Sequence, residues 1–171
     1  MILASPPAGR ARSKADAPAL RRLTTTDAEQ AAELIRLAFA AQSRPTNPPS
    51  SALRETGETV SGKIAAGGGF GVFEAGRLIA TALWLINGDA LHVARVSVAP
   101  GERGRGLARI LIGACEAEAR RRGVRRMTLK TRLELPENRR LFERLGFAPS
   151  GVEAHPGFDA PTTALMQKAL A

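Results

Sequence analysis

The residues of this chain best arranged for chemistry lie between Val96 and Ala108, in the run Val96-Ser97-Val98-Ala99-Pro100-Gly101-Glu102-Arg103-Gly104-Arg105-Gly106-Leu107-Ala108. A strand-like segment stops at Pro100, a short turn carries two arginines and two glycines, and an apolar helical stripe begins with Leu107, Ile110 and Leu111. Such a turn sets unpaired backbone N–H groups at the positive end of a helix dipole. Gly104 and Gly106 have no side chain to hold a bulky anion away from the main chain, and Arg103 and Arg105 add mobile or bidentate charge. The chemistry expected here is the binding of a pyrophosphate. Two other phosphate loops fit worse. A dinucleotide fingerprint starting at Gly104 needs a third small residue where Arg109 stands, and no Gly-Lys-Ser/Thr follows for a triphosphate loop.

A second set of residues could move protons. His92 lies on a strand candidate, where a neutral imidazole accepts a proton near pH 7 or is an ordinary strand histidine. His155 sits in His155-Pro156-Gly157-Phe158-Asp159, between the last two strands, and either contacts a substrate or satisfies a turn. Glu134 is a third candidate base, or a solvated loop carboxylate. Glu116 and Glu118 stand four residues before Arg120 and Arg122, which helix-surface pairing explains. Cys115 falls beside the apolar stripe and reads as packing, as Trp84 does on its apolar strand. No His/Cys cluster has metal-ligand spacing, so no metal is expected.

The elements that must position these groups follow from pattern. Residues 1–18, rich in Ala, Pro, Gly and Arg, read as a disordered tail ahead of one domain over 19–171. Leu20 to Leu23 is a short strand, and Thr24-Thr25-Thr26-Asp27 opens a helix carrying Ala31, Leu34, Ile35, Ala38 and Phe39. Pro45, Pro48 and Pro49 make a loop, and a weaker helix follows over Ser51 to Ala66. Gly67-Gly68-Gly69 reads as a flexible turn. Strands are expected over 70–74, 78–86, 91–98, 124–133, 147–153 and 162–170, with tight turns at Ala75-Gly76 and Asn87-Gly88. Helices fill the run from Gly106 to Arg122 and from Asn138 to Leu145. The order β-α-α-β-β-β-α-β-α-β-β indicates a mixed α/β sheet with helices on its faces.

Composition narrows the function further. The 171 residues suit one domain, and a single cysteine excludes an internal disulfide. The longest apolar stretch, Leu78 to Ile86, is far short of the roughly 20 residues of a bilayer span. A soluble, cytoplasmic protein with no membrane partner is expected. The formal charge of +9 is concentrated: residues 95–146 hold fourteen basic and six acidic groups. That field implies a polyanionic partner, either nucleic acid or a small ligand with several phosphates, or simply arginine on solvated helix faces.

The segment Arg103-Gly104-Arg105-Gly106-Leu107-Ala108 resembles the acetyl-CoA signature of the GNAT family of N-acetyltransferases, Gln/Arg-x-x-Gly-x-Gly/Ala after a strand. A second family block matches from Asn138 through Phe142 to Leu145-Gly146-Phe147. The resemblance implies a seven-stranded, mostly antiparallel sheet splayed between its fourth and fifth strands, with helices on both faces. It implies transfer of acetyl from acetyl-CoA to a primary amine by direct attack. The backbone of Val96 and Val98 would pair with the pantetheine arm, the N–H groups of Arg103 to Ala108 would hold the pyrophosphate, and Ser97, Asn138 and Phe142 would complete the cofactor site. Val98 N–H would be the oxyanion donor, with His92, Glu134 or His155 taking a proton. The family's usual tyrosine acid falls at Phe142, and the chain has no tyrosine. Three CoA phosphates give the local charge a use, which favours CoA over nucleic acid as the anionic partner. A catalytically silent CoA-binding domain and a nucleic-acid module are the rival readings. A second copy of the chain, as a homodimer, is a further candidate partner, and the acceptor amine, small or peptidic, is left open.

Overall fold

The computed structural model describes residues 16–171, so residues 1–15 of the expected tail lie outside the described residues. The strands are β1 (Ala19–Arg22), β2 (Gly68–Glu74), β3 (Arg77–Asn87), β4 (Ala90–Val98), β5 (Arg126–Arg132), β6 (Ala148–Glu153) and β7 (Thr163–Ala169). The helices are α1 (Ala28–Ala40), α2 (Gly57–Ala66), α3 (Leu107–Arg121) and α4 (Pro136–Arg144). All seven strands form one sheet in the order β1-β2-β3-β4-β5-β7-β6, and only β4 and β5 run parallel.

Local chemistry sets the hairpins. Glu74 pairs with Arg77 across Ala75-Gly76, whose φ values of 50° and 75° are those of a two-residue turn that matches sheet twist. Asn87 pairs with Ala90 across Gly88-Asp89, with Gly88 at φ 60°. Strand β3 is buried without a break from Leu78 to Trp84, because helices cover both its faces. On one face Ala31, Ile35 and Ala38 of α1 and Val60 and Ile64 of α2 lie on the sheet. On the other, Leu107, Leu111 and Ile112 of α3 and Phe142 of α4 share a core with Ile79, Leu91 and Met127. Cys115 belongs to this second core; burial, with Glu118 and Glu116 nearby, pushes its thiol up to about 12.

Two expectations are corrected. Gly68 and Gly69 belong to β2 rather than to a flexible turn. Gly68 pairs with Trp84, and a Cβ there would lie 2.3 Å from the indole Cζ2, so the glycine makes room for the ring. The stretch 51–66 is not one helix. A 3-10 turn over Ser51–Arg54 gives way to α2, because Thr56 and Thr59 cap each other: Thr59 N–H donates to the Thr56 hydroxyl and Thr56 N–H to the Thr59 hydroxyl.

The central departure from a regular sheet is between β4 and β5. They share three register positions, Ala90–Arg126, Leu91–Met127 and His92–Thr128. Beyond them β4 stays with β3 as far as Val98–Ala80, while β5 follows β7 to Arg132–Thr163. The sheet opens into a wedge past His92.

Two glycines of opposite kind test the packing. Gly68→Ala should destabilise the fold by about 1–3 kcal/mol, since the added methyl meets the Trp84 ring. Gly113→Ala, in the exposed interior of α3 with nothing within 4 Å of the added Cβ, should stabilise it by about 0.5–1 kcal/mol. Chemical denaturation of both variants measures the pair.

Candidate functional site

A cleft of about 1170 Å³ follows the wedge, running from the start of α3 past β4 to the segment around His155. Its floor at one end is the entry to α3. Gly104 and Gly106 have φ values of 80° and 74°, and a Cβ on either would meet nothing within 4 Å. Left-handed backbone, not crowding, is what selects glycine at both. Gly106 is the N-cap and no side chain caps the helix. Among the described residues nothing accepts from the N–H groups of Leu107, Ala108 or Arg109, although the Gly106 carbonyl already receives Ile110 N–H at 3.2 Å. Three amides therefore converge on one point at the positive end of a fifteen-residue helix. Leu107 and Ala108 bury their side chains in the core, which fixes the amides in place.

Strand β4 supplies the wall. Ala99 N–H donates to the Ile79 carbonyl at 2.9 Å, and Ser97 pairs with Thr81. Backbone groups alternate along a strand, so Val98, and Val96 by the same parity, turn their N–H and C=O away from β3 toward the wedge. This parity depends on a bulge: Arg95 and Val96 together face only Ala82. Arg95 is left-handed at φ 55°, a conformation costing a non-glycine residue about 1–3 kcal/mol. Its Nε donates to Glu55 at 2.7 Å and its Nη2 to the Ser51 hydroxyl at 2.9 Å.

Several expected roles are changed by what the side chains touch. Arg103 is not a mobile phosphate hook: it donates to the carbonyls of Ala38 and Ala41, closing the end of α1. Arg105 is held between Glu74, at 2.9 Å, and Glu102, and this raises its pKa further. The two arginines brace the turn, and its amides are left uncapped. Ser97 is buried, with its hydroxyl on the Arg95 carbonyl at 3.0 Å and its backbone directed at β3. Glu134 accepts Asn47 N–H at 3.1 and 3.2 Å, clasping from outside the proline loop whose Pro48 and Pro49 line the cleft. Asn138 lines the cleft from α4. Phe142 packs edge-on against Phe147, ring centres 6.0 Å apart, with an edge on the cleft.

Both histidines line the cleft. His92 stands at the last β4–β5 register position with Nδ1 3.0 Å from the Thr128 hydroxyl. Burial first, then the charge of Lys130, lowers its pKa, against an opposing pull from Glu153. Lys130 and Glu153 are themselves paired at 2.7 Å. His155 is fixed through Nδ1 by the Thr162 hydroxyl and stacks edge-on with Phe158.

The basic surplus divides. Arg109 and Arg144 line the cleft without a carboxylate partner among the described residues. Arg120, Arg121, Arg122, Arg125 and Arg126 lie at or beyond the far end of α3, ~20 Å away at 1.5 Å per residue, out of reach of an anion at Gly106. There Glu118 is buried and paired with Arg22, Arg121 and Arg122. Arg121, with the other two, holds the Glu118 carboxyl well below the usual range against the opposing effect of burial. The charge of 95–146 thus serves the cleft only in part.

Residues that sequence reasoning missed are Glu55, Arg95 and Glu153. Glu55 has partners 4, 8 and 40 residues away, and only the nearest could have shown in a local pattern. Among the described residues no helix is long and apolar enough to cross a membrane, and no three His, Cys, Asp or Glu side chains are grouped to hold a metal.

The model of the acetyltransferase (GNAT) family matches residues 22–147. Among solved structures, the chain is similar to the ribosomal-protein-S18-alanine N-acetyltransferase of Escherichia coli, at 22% identity and TM-score 0.72 over 91% of this chain and 95% of that one. It is also similar to the PaiA N-acetyltransferase of Thermoplasma acidophilum in complex with coenzyme A, at 18% identity and TM-score 0.74 over 90% and 99%. Nourseothricin acetyltransferase aligns at 20% identity and TM-score 0.69 over 90% and 99%. No curated protein matches by sequence.

The His92 environment has a signed consequence. Folding favours the neutral ring, so this group's contribution to stability is complete above pH 6.5 and is lost as pH falls from there through the lowered folded value. Lys130→Gln should raise the His92 pKa and Glu153→Gln should lower it. Imidazole Hε1 titration by NMR reads both, and a His155 variant assigns the chain's two signals.

Proposed function

The chain belongs to the GNAT family of acetyltransferases, and we propose that it transfers acetyl from acetyl-CoA to a primary amine by direct attack within a ternary complex. The observation that carries the reading is the uncapped start of α3 behind two left-handed glycines, opening onto the splay of β4 and β5. The residues present fit the carrier. The amides from Arg103 to Ala108 suit its pyrophosphate, with Arg109 and Arg144 near enough to add charge. The outward backbone of Val96 and Val98 suits the amides of its pantetheine arm, as an added strand would pair. Asn138 supplies a side-chain amide from α4. When bound, the carrier presents an acyl thioester.

The chain's own residues then have separable tasks. Val98 N–H points where negative charge develops on the carbonyl oxygen as the amine adds. A primary amine of pKa ~10.4 arrives protonated and must lose a proton before it attacks. His92 takes it, its ring kept neutral by burial and Lys130. His155, across the cleft, orients the acceptor. Phe142 offers no proton to the departing thiolate, which with a thiol pKa of ~8.5 leaves unaided or takes its proton from water. Acceptors of the similar structures, a ribosomal protein and nourseothricin by their names, support an amine acceptor without choosing between peptide and small molecule.

The lack of tyrosine supports one rival, a domain that binds CoA and does not turn it over. Release of free thiol from acetyl-CoA, measured across a panel of amino acids, peptides and drug-like amines, separates the two: a silent binder shows affinity and no acceptor-dependent release.

Two variants test the assignment. Gly106→Glu should weaken acetyl-CoA binding by more than about 100-fold in calorimetry, because a carboxylate enters the anion position at a helix N-terminus. Gly106→Ala imposes the same left-handed strain without the charge and should weaken it far less. His92→Ala should lower the rate about 100-fold near pH 7 and much less near pH 10, where the amine loses its proton unaided. An equal loss at both pH values would assign His92 to packing.

A further inference from the structure

Resting on the reading above, we infer that Glu55 is a positioning residue: by holding Arg95 in its left-handed conformation it fixes which amides of β4 face the thioester. A bulge of this kind, two residues opposite one with the first left-handed, ordinarily has glycine in that place. Here Arg95 occupies it, and such a conformation persists only where the surroundings over-determine it. The surroundings are specific. Glu55 is 3% exposed and accepts from Arg95 Nε at 2.7 Å, from Lys63 Nζ at 2.8 and 2.9 Å and from the Thr59 hydroxyl at 2.5 Å. Arg36 donates to the Glu55 carbonyl at 2.6 Å, tying its main chain to α1 as well. Burial alone would raise the Glu55 pKa, but Lys63, Thr59 and Arg95 outweigh it and keep the carboxylate charged.

The consequence for the reaction is one of parity. With the bulge, Ser97 and Ala99 bond to β3, and Val96 and Val98 turn to the wedge. Without the extra residue the alternation beyond it shifts by one, and Ser97 and Ala99 would turn outward instead. Glu55 bonds to the Arg95 side chain, so its effect on Val96 and Val98 passes through the Arg95 backbone. Ser51, the second anchor of Arg95, and Arg54 line the same cleft. The segment 51–55 therefore joins the wall of the cleft to the strand that meets the thioester carbonyl.

The test compares glycine with alanine at one position. Glycine takes the left-handed conformation without a tether, whereas alanine does not. The probe is acetyl-CoA labelled with carbon-13 at the acetyl carbonyl, whose resonance moves on binding when a donor polarises it. Arg95→Ala and Glu55→Gln should each lose at least half of that binding-induced shift, and kcat with the best panel amine at saturating acetyl-CoA should fall about tenfold, while acetyl-CoA binding, which rests mainly on the amides opening α3, weakens by a smaller factor than kcat falls. Arg95→Gly should keep the shift and exceed Arg95→Ala in kcat by about fivefold or more. In the Arg95→Gly background, Glu55→Gln should then cost less than about twofold, since the tether no longer matters. Equal losses in Arg95→Gly and Arg95→Ala would overturn the inference, as would an unchanged shift in Glu55→Gln or an undiminished Glu55→Gln effect on the glycine background. Failure of the unsubstituted protein to bind acetyl-CoA would instead overturn the functional reading on which this rests.

Discussion

Strands β4 and β5 hydrogen-bond where they run side by side, and they do so at three positions. Past His92 each is committed elsewhere, β4 to β3 and β5 to β7. A backbone amide that leaves its ladder must find another partner, because an unpaired polar group in a closed interior costs roughly as much as a lost hydrogen bond. The wedge meets this constraint by staying open to the cleft, which Val96 and Val98 line. The start of α3 obeys the same rule. Its first amides have no acceptor among the described residues, and the left-handed glycines keep them at the surface. Two sets of unsatisfied donors, one from a strand and one from a helix, thus open on one channel.

Charge in this molecule does several jobs that net charge conflates. Arg103 and Arg105 sit in the turn before α3 and spend their donors on carbonyls at the end of α1 and on Glu74 and Glu102. Their work is to hold the turn's shape. Glu118 gathers three guanidiniums at the opposite end of α3, joining β1 to that helix. Arg122 also lies over the Trp84 ring, 4.7 Å from its centre, so one arginine both pairs with a carboxylate and covers an aromatic face. What faces the cleft unpaired is a small part of the total.

What could be read in the sequence was what local chemistry decides. Helix stripes, the tight turn at Ala75-Gly76 and the strand-turn-helix at Pro100–Gly106 depend on neighbours within a few residues and stand where the pattern puts them, while the turn expected at Asn87-Gly88 falls one residue later, at Gly88-Asp89. The family of the chain followed from that one turn together with the Asn138–Phe147 block. What could not be read is decided across the sheet. Gly68 and Gly69 look like a flexible turn until Trp84, sixteen positions on from Gly68, lays its ring against that glycine and Leu83 pairs with the next. Glu55, at the break in the helix expected over 51–66, finds its partner Arg95 forty positions away. The side chains of Arg103 and Arg105, expected to supply mobile charge, are held by the carbonyls of Ala38 and Ala41 and by Glu74 and Glu102, most of which lie far away in the sequence.

Cys115 carries a practical consequence. Its sulfur is the chain's one sulfhydryl, sealed between α3 and the sheet, and burial keeps it in the unreactive protonated form. A disulfide dye added to the native protein therefore records only thiol from solution, with no background from the catalyst itself. Once the dye begins to take up one further equivalent per chain, α3 has come away from the strands beneath it. The same reagent can thus follow both turnover and the opening of the core.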